Sequence, residues 1–185
     1  MNPNKTIQMV QDTLTDNNHI KRILYATDLT ESAPRVYQNV LSLAKQSNAE
    51  IICLHVIDTF SQSSAMTLAM YYVSEDDKKK ILNRERDAAF EKMAHRNRQA
   101  FIRQHLGLED GLYPEQLGLK IENKVVFGNV EEQILLQSVN SNCDLIVMGA
   151  HEKPFLTFTT PLSKQVMKRS KVPVTAVPIP AERKV

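Results

Sequence analysis

Thiol chemistry is almost missing from this chain, which has two cysteines, Cys53 and Cys143, each in or beside an apolar run. Two isolated cysteines build neither a disulfide framework nor a zinc site, so both read as buried thiols. Long hydrophobic runs are missing as well. None approaches the roughly 18 residues that span a membrane. The polar stretch from Met1 to His19 carries no apolar h-region and no cleavage signature. These features predict a cytoplasmic protein without membrane contact. A surplus of one charge is also lacking, with 23 Lys and Arg against 21 Asp and Glu. That balance gives no electrostatic footprint for nucleic acid. The basic residues from Lys78 to Lys92 alternate with acids, as on a solvated helix face.

What is present fits one domain. The chain has 185 residues, 42% hydrophobic and 24% charged, enough for a sizeable single core. Residues 1–19, rich in Asn, Asp, Thr and Gln, read as an N-terminal extension, and residues 20–181 as one α/β domain. Within the extension Ile7, Val10 and Leu14 share the spacing of one helix face. The extension is either a mobile arm or a helix that docks on the body or on a partner.

The domain alternates strands and helices. Arg22 to Thr27 is a short apolar run and reads as a buried strand. Pro34 suits the first turn of a helix. Its stripe is Val36, Val40, Leu43 and Ala44, and Asn48 ends it. Ile51 to Val56 is a second strand. Ser74 opens a long helix, with Asp77 at the capping-box position and Leu82, Ala89, Met93 and Ala100 on its inner face, ending at Gly107. Leu119 to Phe127 reads as a third strand ending at Gly128. Asn129 caps the next helix, whose buried side includes Leu135, Leu136 and Val139. Asp144 to Met148 is a fourth strand. Thr160 caps a last helix carrying Leu162, Val166 and Met167, and Val174 to Val177 is a fifth strand.

Apolar strands alternating with helices predict a doubly wound, Rossmann-like parallel sheet covered on both faces. In such sheets ligands bind at the carboxyl ends of strands, where the winding reverses. Two strand ends carry suggestive chemistry: Thr27-Asp28 after the first, and Gly149-Ala150-His151 after the fourth. Neither a G-x-S-x-G elbow nor a Walker A motif occurs. Asp28 and His151 form the one acid–base pair worth weighing, should the crevice bring them together. Alone, Asp28 reads equally as a crevice residue and as a turn former, His151 as a solvated loop residue, and His55 as a core histidine. Met66, Met70, Tyr71 and Tyr72 make a soft apolar segment that closes over the crevice, contacts a partner or packs on its own domain.

Four ordered stretches resemble the universal stress protein family: Ile23-Leu24-Tyr25-Ala26-Thr27-Asp28, Ile52-Cys53-Leu54-His55-Val56, Val126-Phe127-Gly128-Asn129, and Asp144 to His151. The tail from Val172 to Pro178 resembles the family's closing strand. The resemblance implies a five-stranded parallel sheet in the order 3-2-1-4-5. It implies a nucleotide crevice lined by Thr27, Asp28, Val56 and Gly149, with Asp28 toward the ribose or adenine and the main chain at Val56 toward the base; Ala26, Gly128, Met148, His151 and Thr160 complete the candidate set, Gly128 reading first as the turn glycine between the third strand and its helix, on the crevice side. It also implies a homodimer paired through the last strand.

The phosphate loop of that family reads G-x-x-G and then, about nine residues on, G-[ST]. Here Gly149 fits the first glycine, Glu152 replaces the second, and Thr160-Pro161 fall on the last pair. Glutamate adds negative charge and a Cβ, and proline has no N–H to offer a phosphate. The expectation is therefore a non-enzymatic stress-response protein that acts through association and binds ATP weakly or not at all. No cofactor is expected. The alternative is an ATP- or AMP-binding sensor of the same fold.

Overall fold

A computed structural model of the chain describes residues 20–58, 74–104, 118–151 and 160–179. Residues 1–19, the Met66 to Tyr72 segment, Gly107 and Glu152 lie outside those residues. Nine elements follow in strict alternation: β1 (Arg22–Thr27), α1 (Ala33–Ser47), β2 (Glu50–Asp58), α2 (Glu75–Gln104), β3 (Ile121–Gly128), α3 (Val130–Asn140), β4 (Leu145–His151), α4 (Leu162–Arg169) and β5 (Val174–Ile179). The strands form one sheet in the order β3-β2-β1-β4-β5, with every neighbouring pair parallel. This is the Rossmann-like α/β arrangement expected from the sequence.

Successive strand residues point to opposite faces, which sorts the apolar residues into two layers. Ile23, Tyr25, Ile51, Cys53, Leu145, Val147, Val177 and Ile179 face one side, where Val36, Tyr37, Val40 and Ala44 of α1 and Ala89, Met93 and Ala100 of α2 cover them. Leu24, Ala26, Ile52, Leu54, Val56, Ile146 and Met148 face the other, under Ile134 of α3 and Val166 of α4. Central strands β1, β2 and β4 are therefore apolar on both sides. Edge strand β3 has one buried residue, Val125, and exposes Glu122 and Asn123.

The helix ends follow local chemistry. Asn48 closes α1 in the left-handed region (φ 53°), with its amide on the Ala44 carbonyl. The Ser74 hydroxyl accepts from the Asp77 amide at 3.3 Å and donates to the Asp77 carboxylate at 2.7 Å. The Asn129 side chain accepts from the Glu132 amide at 3.1 Å and fixes the start of α3. That start sets the helix's rotation and corrects the sequence reading. Ile134, Gln137 and Ser138 turn inward, whereas Leu136 and Val139 are 48% and 51% exposed. Gln137 and Ser138 tolerate burial because their polar atoms bond within the helix, Gln137 to Gln133 and Ser138 to the Leu135 carbonyl. Met167 is likewise exposed, and Ser163 and Val166 are the buried residues of α4.

At the amino ends of the strands, Glu50 accepts from Arg22 at 2.9 Å and from Lys120 at 3.2 Å, tying together β1, β2 and the lead into β3. The Asp144 carboxylate accepts from the Lys21 and Arg22 amides at 2.8 and 2.9 Å. Both cysteines are buried and unpaired. Burial pushes the Cys53 thiol up to about 12 and the Cys143 thiol up to about 11, so neither is a thiolate at neutral pH.

Ile146 lies in the middle of β4 with no exposed surface. Ile146→Ala is expected to cost about 2–5 kcal/mol of unfolding free energy, measured by urea denaturation. A loss below about 1 kcal/mol would show that this layer is not the packed core described.

Candidate functional site

β1 and β4 are neighbours in the sheet, yet the helices that follow them lie on opposite faces. Their carboxyl ends therefore open a crevice at the switch point. A cavity of about 610 Å³ fills it, within the usual size of a small-molecule site. Among the expected residues, Ala26, Thr27, Asp28, Val56, Met148, Gly149, His151 and Thr160 all line this cavity. Gly128 does not. It stands at the β3–α3 turn with φ +140°, where a Cβ would meet the Gln133 side chain at 3.1 Å. Its glycine is explained by that turn.

The loop after β1 is organised by its own side chains. One Asp28 carboxylate oxygen accepts from the Thr30 amide at 3.0 Å and the Thr30 hydroxyl at 2.8 Å, and Thr30 in turn shares a 2.8 Å bond with Ser32. This is an Asx turn. Leu29 within it is held at φ +56°, an uncommon region for leucine. Two contacts hold it there: its side chain is buried, and its amide donates to the Thr27 hydroxyl at 3.2 Å. The Tyr25 hydroxyl donates to the Ala33 carbonyl at 3.0 Å and fixes the start of α1 against the strand.

The second Asp28 oxygen meets His151 Nε2 at 2.7 Å. A carboxylate only accepts, so this Nε2 carries the proton. The contact joins the end of β1 to the end of β4 across the crevice, with both side chains about half exposed. Burial pushes the Asp28 carboxyl up. The hydrogen bonds from Thr30 and then His151 outweigh that effect, and the pKa lies below the ordinary value. His55 Nδ1 sits 2.8 Å from the Thr27 carbonyl. It must donate there, which fixes the tautomer. Burial lowers its pKa against the opposing pull of that bond, so the ring is neutral. His55 is thus a core histidine with a satisfied hydrogen bond, and it also lines the cavity.

The phosphate end differs from the sequence reading at the start of α4. Thr160 does not cap α4: Pro161 is the N-cap, with φ −56° and ψ 141°, and no side chain caps the helix. The Pro161 carbonyl accepts from the Lys164 and Gln165 amides, and the Thr160 carbonyl accepts from the Gln165 side chain at 2.7 Å. Proline's missing N–H therefore falls outside the helix, and the first amides of α4 belong to Leu162 and Ser163. Gly149, which lines the cavity, has a packing role as well. A Cβ there would stand 2.5 Å from Ile179 Cδ1 and 3.5 Å from Val36 Cγ2. This glycine makes room for β5 packing, a requirement that holds without any ligand. Sequence reasoning left Tyr25, Val130, Ile134, Ser163 and Ile179 out of the site, although all five line the cavity. Their only signal was position near a strand or helix end. Among the described residues, no group of three or more His, Cys, Asp or Glu converges as metal ligands, and no helix is long and apolar enough to cross a membrane.

The family model described as the universal stress protein family matches residues 19–178, so residues 1–18 lie outside the match. The universal stress protein MJ0577 of Methanocaldococcus jannaschii is 26% identical over 166 residues, covering 85% of this chain and 94% of that protein. The solved structure of MJ0577 superposes with a TM-score of 0.62 at 24% identity, covering 88% of this chain and 98% of the other. The universal stress protein UspA from Lactobacillus plantarum gives 0.59 at 20%, covering 87% and 99%. A universal stress protein solved in complex with cAMP gives 0.51 at 18%, covering 86% and 98%.

The depressed Asp28 pKa has a definite sign in stability. The carboxyl binds protons less readily when folded, so its contribution is complete above about pH 4, the ordinary aspartate value, and is lost as pH falls below it. Asp28→Asn should lower the melting temperature at pH 7 and flatten its decline on the acid side. Parallel melting curves for the two proteins from pH 7 to pH 3 would contradict the assignment.

Proposed function

The chain belongs to the universal stress protein family, and on that premise we propose that it is a non-enzymatic stress-response protein that acts by association and holds ATP weakly. One observation carries this reading: the Asp28 carboxylate, the group expected to meet a nucleoside, already accepts three hydrogen bonds of the roughly four a carboxylate can take. It accepts from the Thr30 amide, the Thr30 hydroxyl and His151. A ribose or base competes with these donors, above all with the charge-assisted contact to His151, and that competition reduces net affinity. Glu152, in place of the family's second glycine, adds negative charge where a triphosphate would lie.

Calorimetry with ATP and Mg²⁺ tests the reading. Wild type should bind no tighter than roughly 100 µM, and His151→Ala should bind about three- to tenfold tighter by freeing one carboxylate oxygen. Low-micromolar binding by wild type would overturn it. The second reading, an AMP- or ATP-binding sensor, is supported by the nucleotide-sized cavity and by the amides of Leu162 and Ser163 at the start of α4. That outcome would appear as tight binding that His151→Ala does not improve.

Association through the last strand has a physical basis. The Ile146 amide donates to the Pro173 carbonyl, and Ile146 is paired with Val174. In a parallel ladder this phase sends the main-chain groups of residues 174, 176 and 178 toward the open edge. Pro178 therefore removes a donor from that edge while leaving the β4–β5 ladder whole. Residues 174–177 remain the stretch able to pair with a second copy. Size-exclusion chromatography with light scattering should show a dimer, and a monomer at every concentration would reject this interface.

A further inference from the structure

We propose that residues 1–19 cover the outer face of α3, with Ile7, Val10 and Leu14 packed on Leu136 and Val139. α3 is apolar on two sides. Ile134 is buried against the sheet, while Leu136 and Val139, three positions apart and so neighbours on the helix surface, face away from it. A helix with one polar and one apolar face needs a single contact, whereas one with apolar residues on both faces is built for two.

The occupant follows from where the chain emerges. Ile20 packs on the cluster beneath α1 and α2, and the Lys21 and Arg22 amides bind the Asp144 carboxylate at 2.8 and 2.9 Å. The Arg22 guanidinium donates to the Ser141 carbonyl at 2.6 Å, and Ser141 is the C-cap of α3. The N-terminal extension therefore leaves the domain beside the very turn that ends α3, with Val139 two positions back along the helix. Residues 15–19 separate Leu14 from this exit, and six extended steps reach up to about 20 Å. Leu136 lies five residues before Ser141, a rise of about 8 Å along the helix axis and well short of that span. The extension supplies the matching chemistry. Ile7, Val10 and Leu14 recur at i, i+3 and i+7, and polar residues such as Asp12 and Asp16 occupy the opposite side of the same period.

Hydrogen exchange on the full-length protein tests the contact. In wild type the amides of residues 8–14 should exchange at least about tenfold more slowly than in Ile7→Asp/Leu14→Asp, as for a locally docked segment. Leu136→Asp/Val139→Asp should abolish the same protection. The first variant leaves the domain untouched, and the amides of Ile146 to Met148 report in every sample whether the sheet is intact. Equal exchange in wild type and Ile7→Asp/Leu14→Asp would overturn the proposal. So would protection that survives the α3 changes with the sheet intact. Protection that disappears on dilution would also overturn it, because it would assign the face to the extension of a second copy.

Discussion

The pairing of β1 with β4 is the contact on which the rest of this molecule depends. Ile23 to Ala26 run beside Leu145 to Met148 with parallel register, and more than a hundred residues of chain separate them. The two segments leave this pair for opposite faces of the sheet, α1 to one and α4 to the other. A gap at their carboxyl ends is then a geometric necessity, since the helix on each side turns away from it. Pairing also brings Asp28 and His151 together, because they lie two and three residues past the last β1–β4 pair, Ala26 with Met148. The crevice and its acid–base contact follow from this register, and the placement of Gly149 beneath Ile179 follows from the adjoining β4–β5 register.

The contact across the crevice is a compromise between stability and binding. This half-exposed carboxylate at a strand end obtains hydrogen bonds from Thr30 in its own loop and His151 from the neighbouring strand. Those bonds keep it ionised and hold the loop in place, including the left-handed Leu29. They also take up accepting capacity of a carboxylate that lines the cavity. A hydrogen-bonded network of this kind favours an ordered crevice, and any ligand must offer at least as much as it displaces.

Much of the fold was legible because its signals are local. The apolar runs at Ile23, Ile51 and Leu145 mark strands buried on both faces, and Asn48, Ser74 and Asn129 mark helix ends where side-chain or backbone chemistry acts within a few residues. The resemblance to the family supplied the strand order, which those runs do not encode. Misreadings came where two local rules competed or where rotation mattered. Thr160 is a good cap residue, but Pro161 beside it fixes a φ that suits the N-cap position itself. Leu136 and Val139 are apolar, yet Asn129 sets the phase of α3 and turns Gln137 and Ser138 inward in their place. The packing role of Gly149 was illegible rather than misread, because thirty positions of chain lie between it and Ile179.

The sequence by itself determined which segments become strands or helices and where most of them end, since propensity, capping and two-fold alternation act over a few residues. It also determined the stock of chemistry at the strand ends, with Asp28 after β1 and His151 closing β4. Only the tertiary structure decided that these two side chains meet at 2.7 Å, that His55 donates to Thr27, and that Gly149 lies under Ile179. Those outcomes depend on the register between strands far apart in the chain, and register is a property of packing on both faces of the sheet at once.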